Sequence, residues 1–377
     1  MQPNKSLFFA IVGLAVIGVA GMFGAWYFLI KANPITLTVL YSTEKEAWLK
    51  DVVAEFEGQV GGRAIELELK QMGSLEMAQA VLDGVEQPDL ISPASSLQVS
   101  ILQEQSAAKY GLPLVNGAEC RPVVNTPLVL VAWKERADVL WGNNPNGNMW
   151  QRLQEALIDP AGWAAYDRPE WGYIKFGHTD PTRSNSGLMT ILLMTYGFMG
   201  KTSGLTSNDI LSSPDFNRWF TELEGSISEF GSSTGTYMRD ITTYGPSKYD
   251  IVAVYESSAI EQARNAVGRY GELQVYYPPA TVMSDHPFCV VKAEWVSSDK
   301  AKAAEALVDY LLSRPVQEQA LAFGFRPVDP TIAPDQAGSP FNQLATNGIQ
   351  LNLPPEVEVP PGDVLDTLLR FWDRSTQ

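Results

Sequence analysis

The chain opens on an uncharged apolar run, Leu7 to Ile30, and then breaks into short and long hydrophobic periods that alternate to the C-terminus. The opening run is long enough for a membrane-spanning helix, which needs about 20 apolar residues. Its small residues Ala20, Gly21, Gly24 and Ala25 are followed by further membrane-like sequence, "WYFLI", rather than by a polar mature start, so an uncleaved anchor is predicted over residues 1–33. Trp26 and Tyr27 suit an interfacial belt, and the short N-terminal stub predicts a cytoplasmic N-terminus with the main body extracellular or periplasmic. Beyond it, β-branched runs predict strands at 35–41, 64–70, 88–92, 126–133, 173–178, 250–256, 273–277 and 288–295. Helical periods at 44–57, 74–84, 150–158, 187–199, 214–224, 258–270 and 299–323 follow most of them. "VLDTLLRFW" predicts a terminal helix, and "NNPNGN" and "NLPPEVEVPPGD" read as turns or connecting loops. Strands alternating with helices mark an α/β fold with substantially parallel sheets, and the length beyond residue 33 predicts two lobes.

Four of the strand-to-helix junctions carry the same chemistry. "YSTEKE" places Thr43 and Glu46 at capping-box spacing, "ASSLQ" does so with Ser95 and Gln98, and "ESSAIE" with Ser258 and Glu261. Ser184 and Ser186 stand just before the apolar helix of "GHTDPTRSNSGLMTILL". Each hydroxyl satisfies an orphan amide as a cap, for about 1 kcal/mol. In an open α/β sheet, however, the carboxyl ends of the strands face one crevice, where helix N-termini offer N–H groups and partial positive charge to a ligand. A small oxyanion or polyhydroxylated solute is then held without a strong acid or base.

Charge and composition narrow the partners. The whole chain has a formal charge of −16; Lys5 and Lys31 are the only ionic groups before residue 34, so the exported body stands at −18. Nucleic acid is excluded as a partner by such a surface. Two cysteines, Cys120 and Cys289, have no metal-ligand spacing, and an oxidising exterior permits either a disulfide or two buried thiols. No metal or other cofactor is expected.

The strings "LYSTEKEAWL", "PDLISPASS", "GHTDPTRSNSGL", "YDIVAVYESSAI", "HPFCVVKAEWV" and "GFRPVDP", in that order and spacing, resemble the bacterial extracellular solute-binding proteins of the type II periplasmic-binding-protein fold, in their molybdate- and sulfate-binding-like branch. The resemblance covers the body from about residue 35 to the terminal helix. It implies an α/β, two-lobed type II periplasmic-binding-protein-like fold with two hinge-crossing strands, here preceded by one transmembrane helix. Lobe 1 would comprise 34–125 and 284–377, and lobe 2 126–283, with "VVNTPLVLV" and "ATVMSDHPFCVV" as the crossings. Cys120 and Cys289 fall near those crossings, which favours a disulfide. The implied function is capture of a small polar or anionic solute, an oxyanion first, for an ABC-type importer. The retained anchor departs from the family pattern and keeps open a second reading, a non-transport accessory or scaffold subunit of a membrane complex.

The expected ligand-binding residues are Ser42, Thr43, Ser95, Ser96, Thr182, Arg183, Ser184, Ser186, Ser233, Thr234, Tyr255 and Glu256. Arg183 would pair with an anion through its planar fork, or with Asp180 across the turn. "GSSTG" matches a nucleophile-elbow pattern, with Asp285 and His286 following. The stretch before Ser233 is amphipathic rather than a strand, and adjacent Asp285 and His286 point apart on an extended segment, so no enzyme is expected. Tyr276 and Tyr277 are similar to the paired tyrosines of ferric-ion binders, but two prolines follow them and core packing is the simpler expectation. His178 is expected to be structural.

Overall fold

The computed structural model describes residues 33–142, 149–266 and 268–376, together with scattered positions between Val12 and Gly24. The predicted anchor, Leu7 to Ile30, and the turn 143–148 lie outside the described residues, those scattered positions aside; no helix among the described residues is long and apolar enough to cross a membrane.

The described strands are β1 (Ile35–Tyr41), β2 (Gln59–Val60), β3 (Arg63–Gln71), β4 (Leu90–Ser92), β5 (Arg121–Pro122), β6 (Val124–Trp133), β7 (Phe176–Gly177), β8 (Ile251–Tyr255), β9 (Leu273–Tyr276), β10 (Met283–Ser284), β11 (Pro287–Val290) and β12 (Arg326–Pro327). They form two sheets. The first runs β2-β3-β1-β4-β11-β5, with β1 parallel to both β3 and β4 and β11 antiparallel to β4. The second runs β10-β6-β8-β7, with β9 and β12 also pairing β6. Here β6 is antiparallel to β8 and β9, and only β7 and β8 run parallel. The parallel character expected from the sequence therefore holds in one lobe and gives way in the other.

Burial explains the choice of elements. β1 is central in its sheet, and Leu37, Val39 and Leu40 are fully covered by helices on both faces. The second lobe is built around the helix Asn185–Met199, whose first twelve residues are all buried. A helix that is apolar on every side belongs in a core, and this one follows β7 after the loop 178–184. Gly187 makes that start possible: a Cβ there would lie 2.0 Å from the Thr179 carbonyl oxygen. The single helix expected over 299–323 is two, Ser298–Leu311 and Arg314–Ala322, because Pro315 cannot continue the first and suits the opening turn of the second. Three helices of eight residues or more that are rich in polar or β-branched residues, Ser96–Tyr110, Lys134–Trp141 and Thr234–Tyr244, have no counterpart among the predicted periods.

The chain passes between the lobes along β6 and again through β10 and β11. Ser284 pairs with Thr126 and Phe288 with Arg121, so the two crossings lie side by side and antiparallel. A third passage follows at β12, where Arg326 pairs with Asn125. From there the C-terminal segment leaves lobe 1, which corrects the expected lobe 1 range of 284–377. The terminal helix Gly362–Thr376 lays Val364, Leu365, Leu368, Phe371 and Trp372 onto lobe 2. Phe371 stacks on Phe216, and the Trp372 indole donates to Glu224 at 2.6 Å. That apolar stripe finds its cover on the helices Pro214–Gly225 and Asn185–Met199. Cys120 and Cys289 form a disulfide inside lobe 1.

Candidate ligand-binding cleft

The loops that leave the sheets meet where the lobes touch. From lobe 1 come the turn Thr43–Lys45 after β1, the end of β4 and the start of the helix Ser96–Tyr110. From lobe 2 come the starts of the helices Asn185–Met199 and Thr234–Tyr244, and the end of β8. Backbone contact is direct. A Cβ on Gly235 would sit 3.0 Å from the Thr43 carbonyl oxygen, and the Arg183 carbonyl accepts from the Leu75 amide at 3.2 Å.

At the centre is a buried polar network drawn from both lobes and the hinge. Lys45, fully buried, donates to Ser42 Oγ (2.6 Å) and to the carbonyls of Ser92 (2.9 Å) and Pro93 (3.1 Å), and its Nζ lies 3.2 Å from His286 Nδ1. Glu44 Oε1 is 3.4 Å from the same histidine nitrogen. Burial pushes the Lys45 ammonium down to about 7, while Glu44 and Asp285 pull it the other way. Burial and then the Lys45 charge hold His286 well below its usual range, so it is neutral at pH 7. His286 also has φ 42°, a left-handed conformation that is costly outside glycine, at the junction of β10 and β11. Across the cleft Gln98 Nε2 donates to Asn185 Oδ1 (2.7 Å), and Asn185 Nδ2 donates to Tyr255 OH (2.7 Å) and Ser284 Oγ (3.1 Å). Burial, then Glu44, raises the Tyr255 hydroxyl, which stays protonated.

Beside this network lies a knot of buried hydroxyls. Ser186 Oγ is 2.7 Å from Thr179 Oγ1 and 2.6 Å from Thr234 Oγ1, and Ser184 Oγ is 3.4 Å from both Ser186 Oγ and Thr234 Oγ1. Ser184 and Ser233 occupy the N-cap positions of the two lobe 2 helices, yet neither makes a side-chain cap bond. A 15-residue and an 11-residue helix thus both begin at the lobe junction without side-chain caps, an arrangement suited to negative charge.

The capping boxes expected from the sequence do not form as such. Thr43 lies inside a short 3-10 turn, and Glu46 reaches Lys50 instead of a cap amide. Ser95 does cap, accepting from the Leu97 amide at 3.2 Å, but Gln98 turns across the cleft. Ser258 sits in the third position of the helix Glu256–Ala266, and its buried hydroxyl has no partner among the described residues.

Of the expected site residues, the structure brings Ser42, Thr43, Ser95, Ser184, Ser186, Ser233, Thr234 and Tyr255 to the lobe junction. Four others are placed differently. Ser96 is held by Asp285, which accepts its amide at 2.8 Å and also its hydroxyl. Thr182 is exposed and bonds to Asp180. Arg183 lies half-exposed on the rim and pairs with Glu76 of lobe 1 at 3.2 Å, rather than with Asp180 or the interior. Glu256 is fully buried in a two-pronged pair with Arg326, each contact 2.8 Å, and also accepts from Tyr277 OH. That carboxylate holds the third crossing and has no free face for a ligand. Tyr276 packs edge-on against Trp141, so neither tyrosine of the pair is aimed at a cation; among the described residues no group of three or more metal-ligating side chains occurs. His178, buried against Glu224 at 3.1 Å, is a core residue.

Sequence reasoning missed Glu44, Lys45, Gln98, Asn185, Ser284 and His286. Lys45 was the one legible signal, a cation set directly after a strand among hydroxyls. The others are ordinary polar residues whose partners lie far away in sequence.

A model of the bacterial extracellular solute-binding proteins matches residues 37–326, most of the chain. The protein belongs to that family. Its members are binding proteins and not enzymes, in keeping with the scattered elbow residues: Asp285 is taken by Ser96, and His286 faces Lys45. The fold is shared with the sulfate-binding protein SubI from Mycobacterium tuberculosis H37Rv, 17% identical, with a TM-score of 0.56 over 85% of this chain and 93% of that one. Iron-bound HitA from Pseudomonas aeruginosa is also 17% identical, with a TM-score of 0.57 over 91% and 100% of the two chains. A tagatose-bound solute-binding protein from Thermotoga lettingae TMO is 14% identical, with a TM-score of 0.61 over 91% and 93%. No curated protein matches by sequence. At these identities the neighbours show the two-lobed α/β fold alone.

Proposed function

We propose that this solute-binding protein captures a small anionic solute between its lobes and hands it to an ABC-type permease, while the Leu7 to Ile30 run holds it at the outer face of the membrane. The observation that carries the ligand class is the pair of helix N-termini without side-chain caps, at which Ser184, Ser186 and Thr234 form a buried hydroxyl knot at the lobe junction. Oriented amides and hydroxyls bind an oxyanion without covalent chemistry, and closing the lobes removes water that would weaken each bond. The sulfate-binding neighbour supports the oxyanion branch. No described group of metal-ligating side chains supports the ferric reading suggested by the iron-bound neighbour.

Thr234→Val removes one hydroxyl of the knot at nearly constant volume. It is expected to weaken an anion by about tenfold or more, since a hydrogen bond to a charged group is worth about 1.5–3 kcal/mol. Titration calorimetry with an anion first found by thermal shift reads this directly, and unchanged affinity would remove the knot from the site. The reading also has a pH signature. Lys45 releases its proton above about 7 and leaves Glu44 and Asp285 less compensated, so anion affinity falls as pH rises from 7. Stability without ligand moves the opposite way: the unfolded chain holds that proton up to the ordinary lysine range, so burying Lys45 costs less as pH climbs from 7. Affinity that is flat between pH 6.5 and 9 would exclude Lys45 from the linkage.

A further inference from the structure

We infer that the solute is a hydroxylated anion, a negatively charged group joined to carbons bearing hydroxyls, rather than a bare, fully deprotonated oxyanion. The inference rests on the cleft being the binding site as proposed above, and it comes from the polar atoms that the lobes bury without partners.

Glu44 Oε1, Gln98 Oε1, Ser92 Oγ, Ser258 Oγ and His286 Nε2 are all buried and have no hydrogen-bond partner among the described residues. Four of them belong to one region, and Ser258 lies one helix turn from a cavity beside it. Glu44 and His286 are 3.4 Å apart, Ser92 offers its carbonyl to the same Lys45, and Gln98 reaches Tyr255, whose ring lies against His286, through Asn185. Ser258 shares a helix face with Glu261, three residues on, and Glu261 lines a cavity of about 190 Å³ between the lobes together with Thr43, Gly235 and Arg239.

Two of these atoms decide the ligand's character. Glu44 Oε1 is a carboxylate oxygen and accepts only. Gln98 Oε1 also accepts only, because the amide nitrogen is committed to Asn185. An unpaired buried acceptor costs about 1–3 kcal/mol, and more when charged. Sulfate has no proton to offer either oxygen and would bring its charge against Glu44. A hydroxyl donates to them, and in turn accepts from neutral His286, whose proton sits on Nε2 because Nδ1 faces the Lys45 ammonium. The negative end has its own place at the N-termini of Asn185–Met199 and Thr234–Tyr244. The two halves of the site are neighbours, since Gly235, in the first turn of the second helix, abuts the Thr43 carbonyl and the Glu44 amide. An anion and a hydroxyl on adjoining carbons span such a junction.

The test is calorimetric titration of the full-length, detergent-solubilised protein with sulfate, glucose, glucose 6-phosphate, glycerol 3-phosphate and gluconate. At least one of the three hydroxylated anions is expected to bind at least about tenfold more tightly than sulfate or glucose, the size of one good hydrogen bond to a charged group. Glu44→Gln, which is isosteric, is expected to erase that preference and to improve sulfate. Ser258→Ala removes a hydroxyl that bonds to nothing in the fold, so it should weaken the hydroxylated anion several-fold with an unchanged melting temperature. Sulfate binding as tightly as every hydroxylated anion, or a preference that survives Glu44→Gln, overturns this inference and leaves the anion reading standing. Glucose binding as tightly as the charged ligands, or no anion binding at all, overturns the anion reading and this inference with it.

Discussion

Arg326→Ala is expected to cost about 3–5 kcal/mol of folding stability, because it strands a fully buried carboxylate. Arg326 donates Nε and Nη2 to the two oxygens of Glu256, each at 2.8 Å, and its fork also serves the carbonyls of Leu351 (3.1 Å) and Gln350 (2.5 Å). Glu256 is wholly shielded from solvent, with Tyr277 OH as its remaining donor. The pair joins the helix Glu256–Ala266 to β12, the third passage between lobes, so its loss loosens the C-terminal segment as well. Urea unfolding followed by tryptophan fluorescence gives the value. The double variant Arg326→Met with Glu256→Leu should recover most of it, since no charge is then left buried. A single-variant loss under 1 kcal/mol would show that water reaches Glu256.

Removing the disulfide has the second large effect. Cys120 and Cys289 lie 169 residues apart, and the chain between them contains most of lobe 2. Closing a loop of that size restricts the unfolded chain by about 5 kcal/mol in the chain-entropy account. Guanidinium unfolding of the oxidised protein against the Cys120→Ala, Cys289→Ala double variant should therefore show a lower midpoint for the variant. Both half-cystines belong to lobe 1 and neither joins the cleft network, so ligand affinity should be preserved. Equal midpoints would mean that the reduced chain keeps this loop closed by other contacts.

Much of the fold was legible because it is local. Every predicted strand has a counterpart, since period-two burial is written by successive residues, as in "ITLTVLY". The helix Asn185–Met199 was legible from an apolar run following serines. The helix Thr234–Tyr244 was not, because its threonines and tyrosines favour strand, and burial of Tyr237, Met238 and Ile241 overrides that preference. The terminal helix was legible as a helix but was expected with lobe 1. Its stripe says only that it needs an apolar partner, and Phe216, Phe220 and Phe230 on lobe 2 supply one.

The site divides in the same way. That hydroxyls gather at helix starts after strands is a property of the sequence, fixed by neighbours a few residues apart. Which of those hydroxyls cap and which face the cleft was decided by tertiary structure. Ser95 caps; Ser184 does not, because its hydroxyl meets Thr234 from a helix 50 residues away, and Ser258 does not, because it lies inside its helix rather than before it. Arg183 and Glu256 found carboxylate and guanidinium partners 107 and 70 residues away, and Lys45 met His286 at a separation of 241. Local spacing determines a backbone's periodicity and its caps, whereas the desolvation and pairing that shape a binding site arise only when distant segments exclude water together.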